Sequence, residues 1–279
     1  MALETAFLTR GLPEAVRLEA ARRMAAAVRA EGGEPAFVGL LGGRAIVGLD
    51  DGQIEHLAGS GRKLSTRDLA PAVARGEDGG TTVAAMVFLA HRAGLAVAAT
   101  GGIGGVHPGS GGRDASADLE ELARTPIVLA CSGAKAITDI AATMERLETL
   151  GVAIVGWRTR ELPAFWSAHS GIALDVAVET AAEVGGIRRA AAGLGAPGAL
   201  LVVVPPPADA ALTREESEAA VARALDDLAA LEIAGPDVTP FLLARVAEIT
   251  DGRSLRANLA LLEHNASVAA EIARAIGGA

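Results

Sequence analysis

Short apolar runs alternate with helical patterns along this 279-residue chain, and this alternation constrains the fold more than any other feature. The runs at residues 126–131, 152–157 and 199–204 are rich in Val, Ile, Leu and Ala, and helical patterns lie between them. Strands that are apolar throughout are typical of a parallel sheet covered on both faces. The pattern predicts an α/β fold, which we interpret as a layered α/β/α arrangement with a mixed, mostly parallel sheet flanked by helices.

Turn and capping signals locate several elements within this frame. Gly42-Gly43 separates two apolar runs and predicts a β-hairpin. Ser65 precedes a helical pattern and is followed three positions later by an acid, which is the arrangement of a capping box. Ser254 is predicted to cap the last helix.

Composition argues against several classes of function. The net charge is −9 and no basic run is present, whereas a nucleic-acid partner requires clustered Lys and Arg. The single cysteine, Cys131, cannot form an internal disulfide and is interpreted as a small buried residue in a reducing compartment. The N-terminus lacks the features of a secretory signal, and prolines interrupt the longest uncharged stretch. We therefore expect a soluble, cytoplasmic protein with no membrane partner.

Residues 126–139 predict a buried strand, a turn of small residues and a helix beginning just beyond the turn. Lys135 is thereby placed at the carboxyl end of a strand, where ligands bind in open α/β sheets. Lys63 and Lys135 are the two lysines among 25 Lys and Arg residues, and arginine cannot act as an amine nucleophile. A partly desolvated amine at Lys135 would be easier to deprotonate and could be a nucleophile. The alternative is a lysine that closes a strand–helix loop.

Two glycine-containing segments suggest ligand contacts. Thr81 and Thr82 precede an apolar helix, whose first amides could hold a phosphate; the alternative is a threonine N-cap after a flexible turn. Residues 100–109 do not fit a dinucleotide-binding fingerprint, and their glycines are interpreted as allowing close approach of a small ligand. His107 is the one titratable group of that loop and is either a site residue or a structural histidine.

Polar residues near two helices are further candidates. Asp114, Ser116 and Asp118 surround a helix start, where they could cap the helix or hold a hard divalent cation together with several waters. Asn258 and Asn265 are the only asparagines and lie two turns apart on one face of the last helix. Because asparagine is a poor helix former, the pair suggests a function, with a surface position as the alternative.

Long motifs in one register match a known family. These motifs are Ala2-Leu-Glu-Thr5, Lys63-Leu-Ser-Thr-Arg-Asp-Leu69, Gly79-Gly-Thr-Thr-Val83, Ala99-Thr-Gly-Gly-Ile-Gly-Gly-Val-His107, Asp114-Ala-Ser-Ala-Asp-Leu119, Gly133-Ala-Lys135, Leu162-Pro-Ala-Phe165, Thr239-Pro-Phe-Leu-Leu-Ala-Arg245 and Asn258 through Asn265-Ala266. With them the chain resembles the pseudouridine-5'-phosphate glycosidase family from Ala2 to about Ile276.

The resemblance implies a single glycosidase-like domain over residues 1–279. Its reaction would be the reversible cleavage of pseudouridine 5'-phosphate to uracil and ribose 5-phosphate, through a lysine Schiff base, with Mn²⁺ or a similar divalent cation, in a homotrimer. By motif, Lys135 would be the nucleophile, Glu4 the proton donor and Asp114 the metal ligand. Thr81 and Thr82 are added to the expected substrate contacts because their helix start could hold the phosphate. The full set of expected contacts is Lys63, Thr81, Thr82, Val83, His107, Ser116, Ala117, Asp118 and Asn258.

Four positions depart from the family pattern. Arg10 and His264 stand where the family has His and Asn, and Arg113 and Ala115 replace the aromatic and aliphatic neighbours of the metal-binding Asp. Our hypothesis is that the ribose 5-phosphate half of the site is kept while the base side has changed. The alternative function is therefore a C-glycosynthase that joins ribose 5-phosphate to another aromatic acceptor. A Schiff-base aldolase and a non-catalytic sugar-phosphate sensor are the two competing classes.

Overall fold

The computed structural model describes residues 1–59, 61–109, 111–231, 233 and 237–277. Its strands are β1 Ala2–Leu3, β2 Ala36–Leu41, β3 Arg44–Val47, β4 Arg62–Leu64, β5 Gly79–Thr81, β6 Val97–Ala99, β7 Val128–Cys131, β8 Ala153–Trp157, β9 Ala177–Val178 and β10 Leu200–Val203. Its helices are α1 Glu14–Ala30, α2 Asp51–Gly59, α3 Thr66–Arg75, α4 Val83–Arg92, α5 Ala117–Leu122, α6 Ile140–Thr149, α7 Ala181–Leu194, α8 Arg214–Ala229, α9 Val238–Ile249 and α10 Arg253–Gly277. A π-helical turn at Phe7–Gly11 lies between β1 and α1.

The strands form one mixed sheet in which most neighbours are parallel. They pair in the order β4-β5-β2-β1-β6-β7-β10-β8-β9, and β3 pairs with β2 outside this order. From β2 to β9 every pairing is parallel, whereas β3 and β5 run antiparallel to β2. The predicted mixed, mostly parallel sheet is confirmed.

Both faces of the sheet are covered by helices. In β10, Leu200 and Val202 belong to one apolar cluster, whereas Leu201 and Val203 belong to another. The first cluster includes side chains of α1 and α7 to α10, and the second includes those of α4 to α6. Because successive side chains of a strand point to opposite faces, the apolar runs are buried on both sides, and the result is the predicted three layers.

Most local predictions are confirmed, and one capping prediction is wrong. β2 and β3 form the expected hairpin, and Ser65 and Asp68 form a capping box at the start of α3. Ser254, however, lies inside α10, which begins at Arg253. The hydroxyl of Thr250 accepts the hydrogen bond from the Ser254 N–H at 3.2 Å, so this earlier residue takes the capping role. The Ser254 hydroxyl is thereby left free of a capping function.

Candidate active site

Three neighbouring parallel strands carry polar side chains at their carboxyl ends. β1 pairs with β6, and β6 pairs with β7. Glu4 directly follows β1, Thr100 directly follows β6, and Lys135 comes shortly after β7. Because the carboxyl ends of parallel strands share one edge of the sheet, the fold brings these residues together from distant parts of the sequence.

Glu4 is a buried carboxyl at this edge. The residue is 7% exposed, and the Thr100 hydroxyl donates a hydrogen bond to Glu4 Oε1 at 2.5 Å. Burial raises the pKa of Glu4 above its ordinary value, against the opposing effects of the Lys135 charge and the Thr100 hydrogen bond. A carboxyl with a raised pKa keeps its proton to higher pH and can donate it, so the environment of Glu4 suits a general acid.

Lys135 is held by the glycine-rich loop that follows β6. Its backbone N–H donates to the Ile103 carbonyl at 2.9 Å, and the Ile103 N–H donates to the Gly133 carbonyl at 3.0 Å. The side-chain Nζ donates to the Gly102 carbonyl at 2.8 Å. The amine is therefore positioned by a neutral acceptor, at the edge of the sheet where Glu4 also lies.

Lys63 approaches the same site from β4. Burial lowers the pKa of the Lys63 amine, the positive charge of Lys135 lowers it further, and Asp118 and Glu4 oppose the shift. Glu4 in turn is influenced by Lys135, Asp118 and Lys63. The charges of Glu4, Lys63, Asp118 and Lys135 therefore influence one another, and we refer to these four side chains as the charged group. The family resemblance predicts that all four belong to one site.

Asp118 connects the start of α4 to the glycine-rich loop. Its carboxylate is buried and accepts hydrogen bonds from the Ala84 N–H and the Gly104 N–H, each at 2.8 Å. Ser116 is the N-cap of α5, since its hydroxyl accepts from the Asp118 N–H at 3.2 Å. Of the three residues predicted to cap this helix or to hold a cation, Ser116 is the one that caps it. The Asp118 carboxylate instead accepts hydrogen bonds from two backbone amides outside α5.

The first turn of α4 offers fewer free amides than the sequence indicated. Thr82 is its N-cap and accepts from the Ala85 N–H at 3.4 Å. The Thr81 hydroxyl is fully buried and donates to the Val38 carbonyl at 2.6 Å. Within the described part of the chain the Val83 N–H has no protein acceptor. A phosphate at this helix start would therefore meet the Val83 N–H first.

Asp118→Asn should weaken both sugar-phosphate binding and the fold. The amide nitrogen of Asn cannot accept from an N–H, so either the Ala84 or the Gly104 amide loses its partner. We expect the free energy of unfolding to fall by about 1–3 kcal/mol. We also expect affinity for ribose 5-phosphate to fall about tenfold or more, because the glycine-rich loop loses its anchor. Urea unfolding and calorimetric titration measure the two effects. Asp209→Asn, at an exposed position, is the control; equal affinity in both variants would contradict the assignment.

Asn265 holds the ends of β6 and β7 against α10. The residue is fully buried, and its Nδ2 donates to the carbonyls of Thr100 at 2.9 Å and Gly101 at 3.2 Å. The Ser132 hydroxyl lies 3.2 Å from Asn265 Oδ1. Sequence analysis marked the asparagine but did not predict its partners or the part that Thr100 and Ser132 play in the site. The role of Asn265 is to position the backbone under the site.

Asn265→Ala should destabilise the protein by about 2–4 kcal/mol, because two buried carbonyls lose their donor. Asn265→Asp is the matched variant, since it keeps the size of the side chain but removes the donating NH₂. We expect both variants to be destabilised in urea titrations. A loss of stability in the alanine variant alone would mean that Asn265 stabilises the protein by packing and not by hydrogen bonding.

Asp114 is the residue implied as a metal ligand, and it lies exposed on the loop before α5. Its backbone carbonyl accepts from the His107 N–H at 2.9 Å, which places Asp114 beside the glycine-rich loop. Ala117, at the start of α5, is also exposed. Across the described ranges no group of three or more His, Cys, Asp or Glu side chains is arranged to hold a metal ion. A single carboxylate fits a hard cation that takes most of its ligands from water and substrate oxygens.

Asn258 lines a cavity of about 320 Å³ beside the π-helical turn, together with Arg10 and Trp166. Arg10 Nη1 forms an ion pair with Asp237 Oδ1 at 2.6 Å, and its charge also acts on Lys63. The cavity therefore lies within electrostatic reach of the charged group. Another cavity, of about 280 Å³ between α1 and α2, is lined by none of the predicted site residues.

The other departures from the family pattern lie outside this cavity, as far as the described residues extend. Arg113 and Ala115 are exposed on the loop before α5. His264 is half-buried on α10, where burial lowers the pKa of its imidazole and the Arg158 charge adds to the shift. Of the four residues that depart from the family pattern, Arg10 is thus the one that lines the cavity beside the π-helical turn.

A protonatable buried carboxyl and a lysine amine at the carboxyl edge of an α/β sheet are the components of a site for covalent catalysis by an amine. Comparison with known proteins agrees with this class. The chain belongs to the family of indigoidine synthase A like proteins, whose model matches residues 1–275.

Named relatives confirm the resemblance found in the sequence. The chain is 49% identical to a pseudouridine-5'-phosphate glycosidase of Chloroflexus aurantiacus, over 98% of this chain and 92% of the relative. A crystal structure of an indigoidine synthase A (IdgA)-like protein from Thermotoga maritima matches with a TM-score of 0.92 and 39% identity, covering 98% of this chain and 91% of the other. The prealnumycin C-glycosynthase AlnA, solved in complex with ribulose 5-phosphate, matches with a TM-score of 0.90 and 34% identity, covering 99% and 91%. The α/β fold is confirmed by both structures.

Proposed function

We propose that this protein cleaves and forms the carbon–carbon bond between uracil and ribose 5-phosphate in pseudouridine 5'-phosphate. The observation that carries the proposal is the placement of the Lys135 amine and the buried Glu4 carboxyl at one edge of the sheet. The relatives named pseudouridine-5'-phosphate glycosidase support the choice of substrate.

A C-glycoside needs this combination of groups. Ordinary glycosidases protonate the oxygen that leaves the sugar and use a second carboxylate as nucleophile or base. In pseudouridine 5'-phosphate the sugar is bonded to a carbon of the base, so no such oxygen is available. An amine nucleophile solves the problem because its nitrogen can form a double bond to the sugar carbon as the base departs.

The reaction would begin with ring opening at Lys135. The neutral Lys135 amine bonds through Nζ to the anomeric carbon and gives up one proton, and the ring oxygen leaves that carbon and takes up that proton. The nitrogen lone pair then forms a C=N bond as the bond to the base breaks. The electron pair of the broken bond stays with the base, whose carbon receives the proton of Glu4. Water hydrolyses the resulting protonated Schiff base to ribose 5-phosphate and the free amine, and the proton that is released restores the carboxyl of Glu4.

The remaining site residues are assigned to the sugar phosphate. Lys63 supplies positive charge, the Val83 N–H supplies a donor at the start of α4, and residues 116–118 are assigned to the sugar phosphate by the resemblance to the family. Asp114 would hold Mn²⁺ or a similar divalent cation. When bound, such a cation supplies positive charge that stabilises phosphate or sugar oxygens. His107, whose backbone N–H donates to the Asp114 carbonyl, is assigned to the same site by the resemblance.

A second candidate function is synthesis of a C-glycoside from ribose 5-phosphate and another aromatic ring. It is favoured by the match to the prealnumycin C-glycosynthase and by Arg10, which replaces the family histidine and lines the cavity near the charged group. The chemistry at Lys135 would be the reverse of the cleavage described above. The two candidate functions therefore differ in the aromatic ring that is bonded to the sugar, whereas the role of Lys135 is the same in both.

The test is a uracil-release assay with pseudouridine 5'-phosphate and Mn²⁺, run beside borohydride trapping of ribose 5-phosphate. Release together with trapping on Lys135 supports the glycosidase. Trapping without release supports the C-glycosynthase with another acceptor, or an aldolase if a small aldehyde or ketone is then turned over. Binding of ribose 5-phosphate without trapping is the result expected of a sensor and would overturn both enzyme proposals.

We propose a homotrimer and a cytoplasmic location, both supported by the resemblance to the glycosidase family. In the described ranges, every helix is too short or too polar to cross a bilayer. Light scattering in solution tests the trimer directly.

A further inference from the structure

Phe165 has a strained backbone conformation for a buried aromatic residue. Its φ is 62°, in the left-handed region that favours glycine. Among the described non-glycine residues, Arg158 and Asp251 also have positive φ, but both are exposed, whereas Phe165 is 2% exposed. Such a conformation costs free energy and persists where the surrounding structure imposes it, which is common at functional sites. The contacts of Phe165 should therefore reveal what the strain achieves.

A tight turn attaches Phe165 to the strand that leads to Lys135. The Ala164 N–H donates to the Ser167 carbonyl at 2.8 Å, and the Ser167 N–H donates to the Ala164 carbonyl at 3.4 Å. Phe165 is the second residue of this four-residue turn, a position where hairpin-type turns require positive φ. Its own N–H donates to the carbonyl of Ser132, which directly follows β7, at 2.9 Å. The turn therefore fixes both the direction and the depth of the phenyl ring.

The phenyl ring of Phe165 lies against the glycine-rich loop. A β-carbon on Gly102 would lie 2.7 Å from the ring, which is closer than real β-carbons approach, so glycine is what the contact allows. Gly133 is covered in the same way, because a β-carbon there would collide with the Pro163 carbonyl. The turn segment therefore packs on the backbone of both loops that border the Lys135 amine.

Gly102 is the residue whose carbonyl orients the reacting amine, since Lys135 Nζ donates to it at 2.8 Å. Glycine has the least restricted backbone and no side chain to anchor it, so contacts from neighbouring segments must fix the direction of this carbonyl. The Phe165 ring is such a contact. A shift of the Gly102 peptide would displace the amine, and a displacement of about 1 Å can cost about 100-fold in rate.

We propose that Phe165 is a positioning residue for Lys135. Its ring, held by the strained turn, fixes the Gly102 peptide and thereby the direction of the amine. The inference rests on the proposed function, because it concerns the attack of the same amine on the sugar. Other residues are assigned to the sugar phosphate, so loss of the ring should slow the attack and leave the affinity for ribose 5-phosphate unchanged.

Phe165→Ala removes the ring and should lower the rate of borohydride trapping at saturating ribose 5-phosphate about 10- to 100-fold. The Kd for ribose 5-phosphate, measured by calorimetric titration, should stay within about twofold of wild type. Phe165→Leu keeps a branch where the nearest ring atom lies and should restore most of the rate. Phe37→Ala is the matched control, because Phe37 is also 2% exposed but lies on β2, three strands away from β7. Its trapping rate should equal that of wild type.

Phe165→Gly separates positioning from stability. It removes the ring as Phe165→Ala does, but glycine adopts the left-handed φ without strain. We therefore expect the glycine variant to unfold at a higher urea concentration than the alanine variant. Both should nevertheless trap ribose 5-phosphate equally slowly. A trapping rate that follows stability across the two variants would mean that Phe165 only supports the fold, and would overturn the proposal.

The outcomes separate this inference from the function on which it rests. Normal trapping rates in Phe165→Ala and Phe165→Gly, with trapping intact in wild type, would overturn the positioning role and leave the proposed function standing. An equal loss of rate in Phe37→Ala would also overturn the positioning role, because any buried phenyl ring would then have the same effect. Failure of trapping in the wild-type protein would overturn the proposed function and this inference with it.

Discussion

Lys135→Arg should reduce turnover by at least about 10³-fold and abolish trapping of ribose 5-phosphate by borohydride. Arginine keeps the positive charge of the site, but its guanidinium cannot form the proposed Schiff base. The loss would therefore report the missing nucleophile and not a missing charge. Release of uracil from pseudouridine 5'-phosphate and the mass of the trapped protein are the measurements.

Lys63 is the rival nucleophile, because burial and the neighbouring Lys135 charge lower the pKa of its amine. With two lysines in the chain, cleavage after arginine followed by peptide mass analysis assigns the trapped sugar unambiguously. We expect the label on the peptide that contains Lys135. A label on Lys63, or turnover by Lys135→Arg within about tenfold of wild type, would contradict the assignment.

Glu4→Gln should lower the rate of uracil release by about 10²–10⁴-fold while making the folded protein more stable at alkaline pH. Glutamine has nearly the same shape and can still accept the hydrogen bond from the Thr100 hydroxyl. It cannot give a proton to the departing base. In wild type, release should fall as pH rises through the raised pKa of Glu4, because the protonated carboxyl is the active form. That alkaline limb should be missing from the residual activity of the variant.

The stability effect has the opposite direction from the activity effect. The folded protein binds the Glu4 proton more tightly than the unfolded chain does, because burial raises the pKa. The stabilising contribution is complete below the unfolded pKa and is lost as pH rises through the folded pKa. Urea unfolding at pH 4 and pH 8 should therefore show a stability advantage of Glu4→Gln at the higher pH alone. An equal effect at both pH values would mean that burial does not destabilise the ionised carboxylate.

Much of the fold follows from local sequence patterns. The apolar runs that became β7, β8 and β10, and the hairpin of β2 and β3, are recognisable because each depends on neighbours in sequence. Capping boxes are equally local, and the one at Ser65 was predicted correctly. The prediction for Ser254 is wrong because the turn before α10 lets the Thr250 hydroxyl reach forward and accept the hydrogen bond from the Ser254 N–H. That choice depends on the path of the chain and not on residue type.

The sequence predicts which residues belong to the site, but it does not predict the hydrogen bonds that they form. Lys135 was marked by position and by the rarity of lysine, and Glu4 by resemblance alone. The bonds from Asp118 to Ala84 and Gly104 join three separate segments, and no periodicity in sequence encodes such a join. The cavity next to the π-helical turn likewise forms where α9, α10 and Trp166 meet, so it has no sequence signature of its own.

The shortness of β1 has a consequence for how the protein reaches its active form. This strand has two residues, yet it lies in the middle of the sheet and is followed at once by Glu4. The partner of Glu4 is Thr100, 96 positions away, and Thr100 is itself held by Asn265, a further 165 positions along. Contacts between residues so distant in sequence form slowly, because closing a long loop costs conformational entropy before the new contacts can stabilise the chain. Catalytic competence should therefore arise late in folding, when α10 docks and Asn265 binds the backbone at the end of β6.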